Sequence, residues 1–347
     1  MIGYRFTEYI PEKVAEKGSF ESLRDIFLQL MVITGGDVSE TIHWLTNLDQ
    51  EHNLMPEDYG MGNFVDDLKD QGYIKEGSEE GTFEVTAKSE QKIRKNALEE
   101  IFGKLKKGSK GDHKTPYFGQ GDETTTDFRE FQFGDSLDQI ALTERDIEIQ
   151  DKDFKAQTST VLMIDISHSM ILYGEDRITP AKKVAMALAE LITQKYPKDT
   201  LDIIVFGNDA WQIEIKDLPF LQVGPYHTNT IAGLELAIDI LKRKKNKNKQ
   251  IFMITDGKPT CMKVGIKYYK NSFGLDPKIM NKTFNLAAQC RRSHVPITTF
   301  MIASDPYLKQ FVQEFTQINN GNAYYSSLQG LGHLIFEDYK NNRRKNF

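Results

Sequence analysis

The length, composition and charge of the chain limit what kind of protein it can be. Its 347 residues are too many for one ordinary domain and predict two, each large enough to bury a core. With 39% hydrophobic and 27% charged residues, the chain is expected to fold rather than to be disordered or fibrous. The formal net charge is -6, and residues 1–110 contain 21 acidic and 14 basic side chains, which disfavours a nucleic-acid-binding surface.

The sequence also predicts the compartment. The first ten residues lack the basic segment and apolar core of a secretory signal, and no apolar run approaches the roughly 20 residues that span a bilayer. Cys261 and Cys290 are the only cysteines, too few for a disulfide framework or a Cys-rich zinc site, so both are predicted to be ordinary thiols. We therefore expect a cytoplasmic protein without a membrane span.

Residues 1–107 are predicted to form a small, mainly helical domain. Three helices are predicted first, over 19–33, over 37–48 with Asp37 as N-cap, and after Pro56. They are followed by strands at 72–74 and 82–86 around an acidic turn, and by a helix near 88–105. This order resembles a winged-helix module, and a generic helical domain with one hairpin fits it equally. In either case the acidic composition favours contact with protein over contact with DNA.

Residues 108–157 are predicted to be a linker, because glycines and charges alternate there without a sustained period. Two stretches within it, Phe131–Phe133 and Asp146–Ile149, are candidates for short strands that would extend the domain that follows.

Residues 158–340 are predicted to form a doubly wound α/β domain with a mostly parallel, Rossmann-like sheet, because strands that are apolar almost throughout are typical of a sheet covered on both faces. The predicted strands are 161–164, 201–206, 211–215, 251–254, 297–302 and 322–326, and the helices lie near 179–196, 229–243, 281–293, 306–318 and 328–340. No glycine-rich phosphate-binding motif follows a strand, so no nucleotide cofactor is predicted. Residues 341–347 form a basic tail.

Polar side chains follow several of these strands at one expected edge of the sheet. Asp165, Ser167 and Ser169 come directly after the first strand, Thr228 precedes a helix, and Asp256 follows the strand 251–254. Ligands gather at the carboxyl ends of parallel strands, and a ligand set made only of oxygen atoms suits Mg²⁺ or Mn²⁺. Because two carboxylates at most balance a divalent ion, the metal would still attract a carboxylate from a partner.

This arrangement resembles the metal-ion-dependent adhesion site (MIDAS) of von Willebrand factor A (VWA) domains. The resemblance rests on the D-x-S-x-S motif at 165–169, on Thr228 and on Asp256 in Thr-Asp-Gly. It implies a VWA fold over 158–340, with these five residues as metal ligands or their water-mediated neighbours, and a protein-interaction module rather than an enzyme. His227 stands where the family usually has glycine.

Further stretches are similar to the bacterial intracellular branch of the family that resembles the magnesium-chelatase D subunit, namely 176–183, 255–260, 271–277 and 299–306. This similarity implies a MoxR-type or chelatase-I-type AAA+ ATPase, or its client, as the protein partner that presents a carboxylate to the metal. The alternative is a VWA-bearing subunit of a metal-chelatase-like enzyme complex. A winged-helix regulator is a third interpretation.

Other chemistries fit the site residues less well. His168 and His227 flank the predicted ligands, but neither has a second His or Cys at ligand spacing, so both are interpreted as loop residues. A phosphoryl-accepting Asp165 would need a second acid two positions on, where Ser167 stands. No nucleophile-elbow pattern is present. We therefore predict no catalytic residue.

The segment 258–280, on the expected metal side, carries Tyr268, Tyr269, Phe273 and several lysines. It is either an insertion that recognises a partner or a surface loop with a few buried aromatic residues. The basic stretches 242–249 and 343–345 are interpreted as solvated helix ends.

Overall fold

A computed structural model of the chain describes residues 19–56, 58–78, 81–102, 128–130, 140–142, 147–150, 157–174, 176–302 and 306–325. These residues belong to two units, one formed by the parts before residue 104 and after residue 157 and the other by the strands between them, and each unit is described by itself. The stretch Phe131–Phe133, the helix near 328–340 and the basic tail predicted from the sequence lie outside the described residues.

The first unit begins with helices and a hairpin, as the sequence predicts. Its elements are α1 (Phe20–Ile33), α2 (Val38–His52), α3 (Met61–Asp70), β1 (Ile74–Glu76), β2 (Phe83–Val85) and α4 (Ala87–Phe102). The Asp37 side chain accepts a 2.9 Å hydrogen bond from the backbone N–H of Glu40, so the predicted N-cap of α2 is confirmed. The strands β1 and β2 pair antiparallel. The winged-helix interpretation stays a prediction.

The second unit contains three short antiparallel strands, β3 (Phe128–Glu130), β4 (Ile140–Leu142) and β5 (Ile147–Gln150), in the order β3-β5-β4. The strand predicted at Asp146–Ile149 is therefore present as β5. Its predicted role in extending the following domain is wrong, because β5 pairs with β3 and β4. Antiparallel partners this close in sequence need only short loops to close, which favours local pairing.

The main sheet of the first unit has six strands. They are β6 (Thr158–Asp165), β7 (Thr200–Phe206), β8 (Ala210–Ile213), β9 (Asn248–Thr255), β12 (Ile297–Met301) and β13 (Asn322–Tyr325), and β10 (Cys261–Val264) and β11 (Lys267–Lys270) form a separate hairpin. The strand order is β13-β12-β9-β6-β7-β8, and every pair is parallel except that of β8 with β7. Each predicted strand of this domain is present.

Helices cover both faces of the sheet, so the predicted doubly wound fold is confirmed. The helices are α5 (Ile178–Lys195), α6 (Thr230–Arg243), α7 (Pro277–Arg292) and α8 (Pro306–Asn319). In β6, Leu162 and Ile164 belong to one hydrophobic core with α5, while Val161 and Met163 belong to the other with α6, α7 and α8. No helix in the described part of the chain has the length and apolar character needed to cross a membrane.

Helix α7 begins four residues earlier than the sequence predicts. Asp276 caps it by accepting hydrogen bonds from the backbone N–H groups of Lys278 and Ile279, at 2.9 and 3.1 Å. Pro277 occupies the first turn, where its missing N–H costs nothing. The capping signal thus lies ahead of the apolar periodicity from which the prediction was made.

The N-terminal helices share one hydrophobic core with the α5 face of the sheet. Phe27 of α1 and Leu45 of α2 belong to the same cluster of buried side chains as Leu162 of β6 and Val184 of α5. Helix α4 also contacts α5, through an ion pair between Arg94 Nε and Glu190 Oε2 at 3.3 Å. The predicted boundaries at 107 and 158 stay predictions, but the described helices before the first boundary pack directly on the α/β domain.

A buried lysine lies in this contact. Lys182 of α5 is 2% exposed, and its ammonium group donates to the backbone oxygens of Val32, at 2.6 Å, and Leu221, at 3.1 Å. Val32 is in the last turn of α1, where backbone carbonyls have no partner within the helix. Burial lowers the pKa of Lys182 to about 8, although the carboxylate of Asp176 opposes this shift.

The Lys182 contact predicts how stability depends on pH. Between pH 8 and 10.5 the unfolded chain binds more protons at Lys182 than the folded chain, so the free energy of unfolding should rise with pH. We expect a rise of about 1 kcal/mol per pH unit relative to Lys182→Met, measured by urea unfolding from pH 8 to 10. The matched control Lys183→Met changes the neighbouring, partly exposed lysine and should keep the rise. Parallel pH profiles of wild type and Lys182→Met would contradict the prediction.

Candidate metal centre

Three loops bring the five predicted site residues together at the carboxyl edge of the sheet. The five are Asp165 at the end of β6, Ser167 and Ser169 in the turn and short helix that follow, Thr228 ahead of α6, and Asp256 after β9. The chain leaves β6 towards β7 on one side and later returns to β9 on the other. Such a reversal of strand order opens a crevice between the loops, which is where ligands bind in sheets of this type.

A chain of hydrogen bonds connects the three hydroxyl groups to one carboxylate. The Thr228 hydroxyl donates to Ser167 Oγ at 3.0 Å, the two serine hydroxyls are 3.1 Å apart, and the Ser169 hydroxyl donates to Asp256 Oδ1 at 2.7 Å. Ser167 and Thr228 are buried and Ser169 is half-buried, so the chain of hydroxyls opens towards solvent at Ser169. The four residues thus present their oxygen atoms to one another.

Asp165 forms the buried floor of the site. Its side chain is fully buried and accepts hydrogen bonds from the backbone N–H of Ser167, at 2.8 Å, and the hydroxyl of Thr255, at 2.7 Å. Burial, and next the negative charge of Asp256, raise the pKa of Asp165, and these hydrogen bonds only partly oppose the rise. The carboxylate pair is therefore short of positive charge. Thr255 was not predicted as a site residue, although it directly precedes Asp256.

Arg177 is a second contributor that the sequence analysis missed. Its guanidinium donates to Asp256 Oδ2 at 2.9 Å, and the Asp256 side chain is 0% exposed. Two carboxylates and one guanidinium leave a formal charge of -1 at the site, counted from Asp165, Asp256 and Arg177. Spacing alone gave no signal for Arg177. Its one clue was a charged residue placed directly before α5, next to the loop that carries both serines.

The donor set fits a hard divalent cation. It consists of carboxylate and hydroxyl oxygens, which Mg²⁺ and Mn²⁺ prefer. A Cβ atom added at Gly257 would lie 3.3 Å from Thr228 Oγ1 and 3.4 Å from Ser169 Oγ, so this glycine keeps the space between the two hydroxyls open. Within the described ranges no group of three or more His, Cys, Asp or Glu side chains could hold a metal, so this site depends on its hydroxyls. The roles of the five residues as ligands stay predictions.

The two histidines beside the site are held as loop residues. His168 is exposed, and its backbone N–H donates to the carbonyl of Tyr226 at 3.0 Å. The backbone N–H of His227 donates to Asn208 Oδ1 at 2.9 Å. His227 is not among the described residues with positive φ, so the loop before Thr228 does not need the glycine that VWA domains usually have there.

Comparison with known families and sequences gives two findings. The family model described as "Rv0959-like protein, vWA domain" matches residues 158–340. The uncharacterized protein Rv0959 of Mycobacterium tuberculosis (strain ATCC 25618 / H37Rv) is 27% identical over 304 residues, which cover 80% of this chain and 44% of that protein. The chain thus spans less than half the length of the curated relatives it matches.

Solved structures with similarity to the chain include two at low sequence identity. The PilB minor pilin from Streptococcus sanguinis has a TM-score of 0.43 and 13% identity, covering 58% of this chain and 67% of that one. The SpRpn10 VWA domain has a TM-score of 0.38 and 17% identity, covering 50% of this chain and 93% of that one.

The crowded carboxylates predict an effect of Asp165→Asn on stability. The substitution removes one of two adjacent buried negative charges while an amide can still hydrogen-bond to Ser167 and Thr255. We expect the free energy of unfolding at pH 8 in EDTA to rise by at least about 1 kcal/mol, the scale of one pKa unit. Mg²⁺ should then stabilise wild type and leave the variant unchanged. Thermal unfolding with and without Mg²⁺ measures both effects, and Asp239→Asn, an exposed carboxylate of α6, is the control.

A lower melting temperature for Asp165→Asn than for wild type in EDTA would contradict this charge argument, provided that Asp239→Asn melts like wild type.

The Arg177–Asp256 ion pair predicts competition between the guanidinium and a metal. Arg177→Gln should tighten Mn²⁺ binding about tenfold, because a hydrogen bond to a charged group contributes about 1.5–3 kcal/mol and would no longer be lost on metal binding. Isothermal titration calorimetry with Mn²⁺ measures the change. Arg243→Gln, which removes an exposed ion pair of α6, is the matched control and should bind Mn²⁺ as wild type does. Weaker Mn²⁺ binding by Arg177→Gln would show that Arg177 supports the metal instead of competing with it.

Proposed function

Because the chain belongs to the family of Rv0959-like proteins with a vWA domain, we propose that it binds a protein partner through one divalent metal, Mg²⁺ or Mn²⁺. A vWA domain generally indicates a protein-interaction module. The metal would be held by Asp165, Ser167, Ser169, Thr228 and Asp256, and it would supply a positive charge for a carboxylate of the partner.

One observation carries the proposal: an open chain of hydroxyls ends on a buried carboxylate pair whose negative charge is only half neutralised. The hydroxyls of Thr228, Ser167 and Ser169 run to Asp256 at separations of 2.7–3.1 Å, with Asp165 behind them. Buried charges in proteins are usually paired or bound to metal, and Arg177 neutralises only one of the two carboxylates. With Arg177 counted, a divalent ion would change the formal charge of the site from -1 to +1.

The neighbours of the carboxylates favour binding over catalysis. The side chains recorded as hydrogen-bonding to Asp165 and Asp256 come from serine, threonine and arginine. None of these groups is a general base near neutral pH. A metal without a base beside it is better suited to holding a carboxylate than to activating a water molecule.

The class of the partner rests on the sequence resemblance. We propose a MoxR-type or chelatase-I-type AAA+ ATPase, or its client, in the cytoplasm. The alternative, a VWA-bearing subunit of a chelatase-like complex, would use the same five residues, and no contact of the described residues distinguishes it.

Removal of single ligands tests the metal site. Ser167→Ala and Thr228→Ala should each weaken Mn²⁺ binding by at least about tenfold, since even residues that only orient metal ligands commonly contribute that much. Thr193→Ala is the control, because its hydroxyl donates to the Ala189 carbonyl of its own helix, away from the site. Calorimetry with Mn²⁺ measures binding, and wild-type affinity in both ligand variants would contradict the assignment.

Capture of partners tests the function. The immobilised wild-type protein should retain a set of proteins from its own cell extract in Mg²⁺ and release it in EDTA. Asp165→Ala should retain none of this set, whereas Asp239→Ala should retain all of it. Recovery of the same proteins in EDTA as in Mg²⁺ would overturn the proposal that the metal mediates binding.

A further inference from the structure

Exposed hydrophobic side chains are concentrated in one short stretch. Among the described residues nine large hydrophobic side chains are exposed, and five of them lie between residues 264 and 273: Val264, Ile266, Tyr268, Tyr269 and Phe273. Ile266 is 92% exposed and Phe273 is 90% exposed, the highest values of the nine. Single exposed hydrophobic residues need no explanation, but a cluster of them marks an interaction surface.

These residues belong to an ordered hairpin, which we call the 261–273 hairpin. Strands β10 and β11 pair antiparallel through a two-residue turn in which Gly265 adopts a φ of 63°, a conformation that glycine readily takes at the first position of such a turn. Cys261 and Met262 are buried and fix β10 against the domain, while every residue of β11 is exposed. Ile266 is therefore presented at the hairpin tip.

The base of the hairpin is bonded to the candidate metal centre. The backbone N–H groups of Thr260 and Cys261 both donate to the carbonyl oxygen of Thr228, at 2.9 and 3.2 Å, and the Thr260 hydroxyl accepts from the Thr228 N–H at 3.1 Å. Where the chain leaves the hairpin after β11, the backbone N–H of Asn271 donates to the Thr260 carbonyl oxygen at 2.8 Å. The hairpin thus starts and finishes beside Thr228, a proposed metal ligand.

The hairpin is basic although the chain is acidic. Residues 261–273 contain Lys263, Lys267 and Lys270 and no acidic residue, whereas the whole chain has a net charge of -6. Asp209 lies 3.7 Å from Lys263, but within the described part of the chain no ion pair is recorded for Lys267 or Lys270.

The tyrosines of the hairpin are oriented by carboxylates. The Tyr269 hydroxyl donates to Asp276 at 2.9 Å, and the Tyr268 hydroxyl donates to Asp209. Lys263 and Lys270 lie 5.7 and 5.8 Å from the centre of the Tyr268 ring. The hairpin therefore has fixed aromatic rings between ammonium groups, an arrangement that offers apolar contact area and positive charge together.

We propose that the 261–273 hairpin is a docking platform for an acidic protein segment with apolar side chains, which it aligns with the metal centre. The proposal rests on the proposed function and deepens it, because it states the chemistry of the partner. Apolar side chains of the segment contact Ile266 and Phe273, its flanking carboxylates lie near Lys267 and Lys270, and one further carboxylate reaches the metal. Selectivity thus comes from the hairpin, since the metal alone accepts any carboxylate.

A protein segment fits the hairpin better than a nucleic acid or a membrane. Three lysines are few for phosphate binding, and the negative charge of the remaining chain would repel a polyanion longer than the Debye length of about 8–10 Å. A short acidic segment stays within the local field of the lysines. The aliphatic tip residue Ile266 offers no ring on which a base could stack, whereas it suits a leucine or phenylalanine of a peptide.

The experiment uses a random dodecapeptide display library selected on the immobilised full-length protein in Mg²⁺. The enriched peptides should combine Asp or Glu with aliphatic or aromatic residues. The best peptide is then measured by fluorescence polarisation, in Mg²⁺ and in EDTA, against wild type, the charge reversal Lys263→Glu/Lys267→Glu/Lys270→Glu and the apolar variant Ile266→Ser/Phe273→Ser.

A matched control changes three exposed lysines at the opposite end of the sheet. Lys242→Glu/Lys245→Glu/Lys247→Glu makes the same change in charge on the stretch from the last turn of α6 to the start of β9. Unchanged Mn²⁺ binding and melting temperature in all variants would establish that they are folded, since the substituted side chains are exposed.

We expect the Kd of the peptide to rise at least about tenfold in both hairpin variants and less than about twofold in the control, with a steeper salt dependence for wild type than for the charge reversal. The hairpin effect should be present in EDTA as well as in Mg²⁺. If EDTA weakens peptide binding but the hairpin variants bind as wild type does, this inference is overturned and the proposed function stands. If the hairpin variants bind more weakly but EDTA has no effect, the inference stands and the proposed function is overturned.

Three further outcomes would overturn the inference. They are the absence of any enriched peptide, enrichment of basic or uncharged peptides, and tighter hairpin-dependent binding of single-stranded RNA or of vesicles of anionic lipid than of the peptide.

Discussion

Two carboxylates, Asp165 and Asp256, are buried at the ends of the adjacent parallel strands β6 and β9, and the site depends on their mutual repulsion. Like charges out of water repel strongly, because the interior screens them poorly. Hydrogen bonds from Ser167 and Thr255 to one carboxylate, and from Ser169 and Arg177 to the other, stabilise the pair, and Arg177 neutralises only one of its two charges. Such an arrangement leaves an uncompensated negative charge at the carboxyl edge of the sheet, which would favour binding of a cation.

The fold was predictable because it depends on patterns that single residues cannot disrupt. Strands such as β6, whose eight residues are all buried, indicate a sheet covered on both faces, and polar residues directly after two such strands indicate a site at the carboxyl edge. Asp165, Ser167, Ser169 and Asp256 could be found in this way because they follow the ends of β6 and β9, and Thr228 was found because it precedes a predicted helix. Their ligand roles were inferred from the resemblance, and the geometry is compatible with those roles without testing them.

Arg177 and the shared core could not be predicted, since each depends on contacts that leave no period in the sequence. The start of α7 was missed for another reason, because its cap Asp276 and first residue Pro277 lie ahead of the apolar periodicity. An arginine before a helix has the same local signature whether its side chain reaches solvent or Asp256. The buried Lys182 contacts carbonyls of Val32 and Leu221, and its distance from Val32 along the chain, 150 residues, hides that contact from any local pattern. The isolated pairing of β5 was missed for a different reason: alternation predicts a strand, and it does not identify the neighbour.

The closed base of the 261–273 hairpin separates its tip from the chemistry below it. Thr260 and Asn271 are joined by a backbone hydrogen bond, and Thr260 in turn is joined to Thr228. Cys261 and Met262 are buried, so it is the exposed residues 263–270 that can change in number or sequence while Thr228 stays in place. The hairpin is thus an exchangeable module on a constant centre. Related chains could acquire new binding preferences by altering the exposed part of the 261–273 hairpin. A designer could likewise graft a different tip between Met262 and Asn271 without rebuilding the metal site.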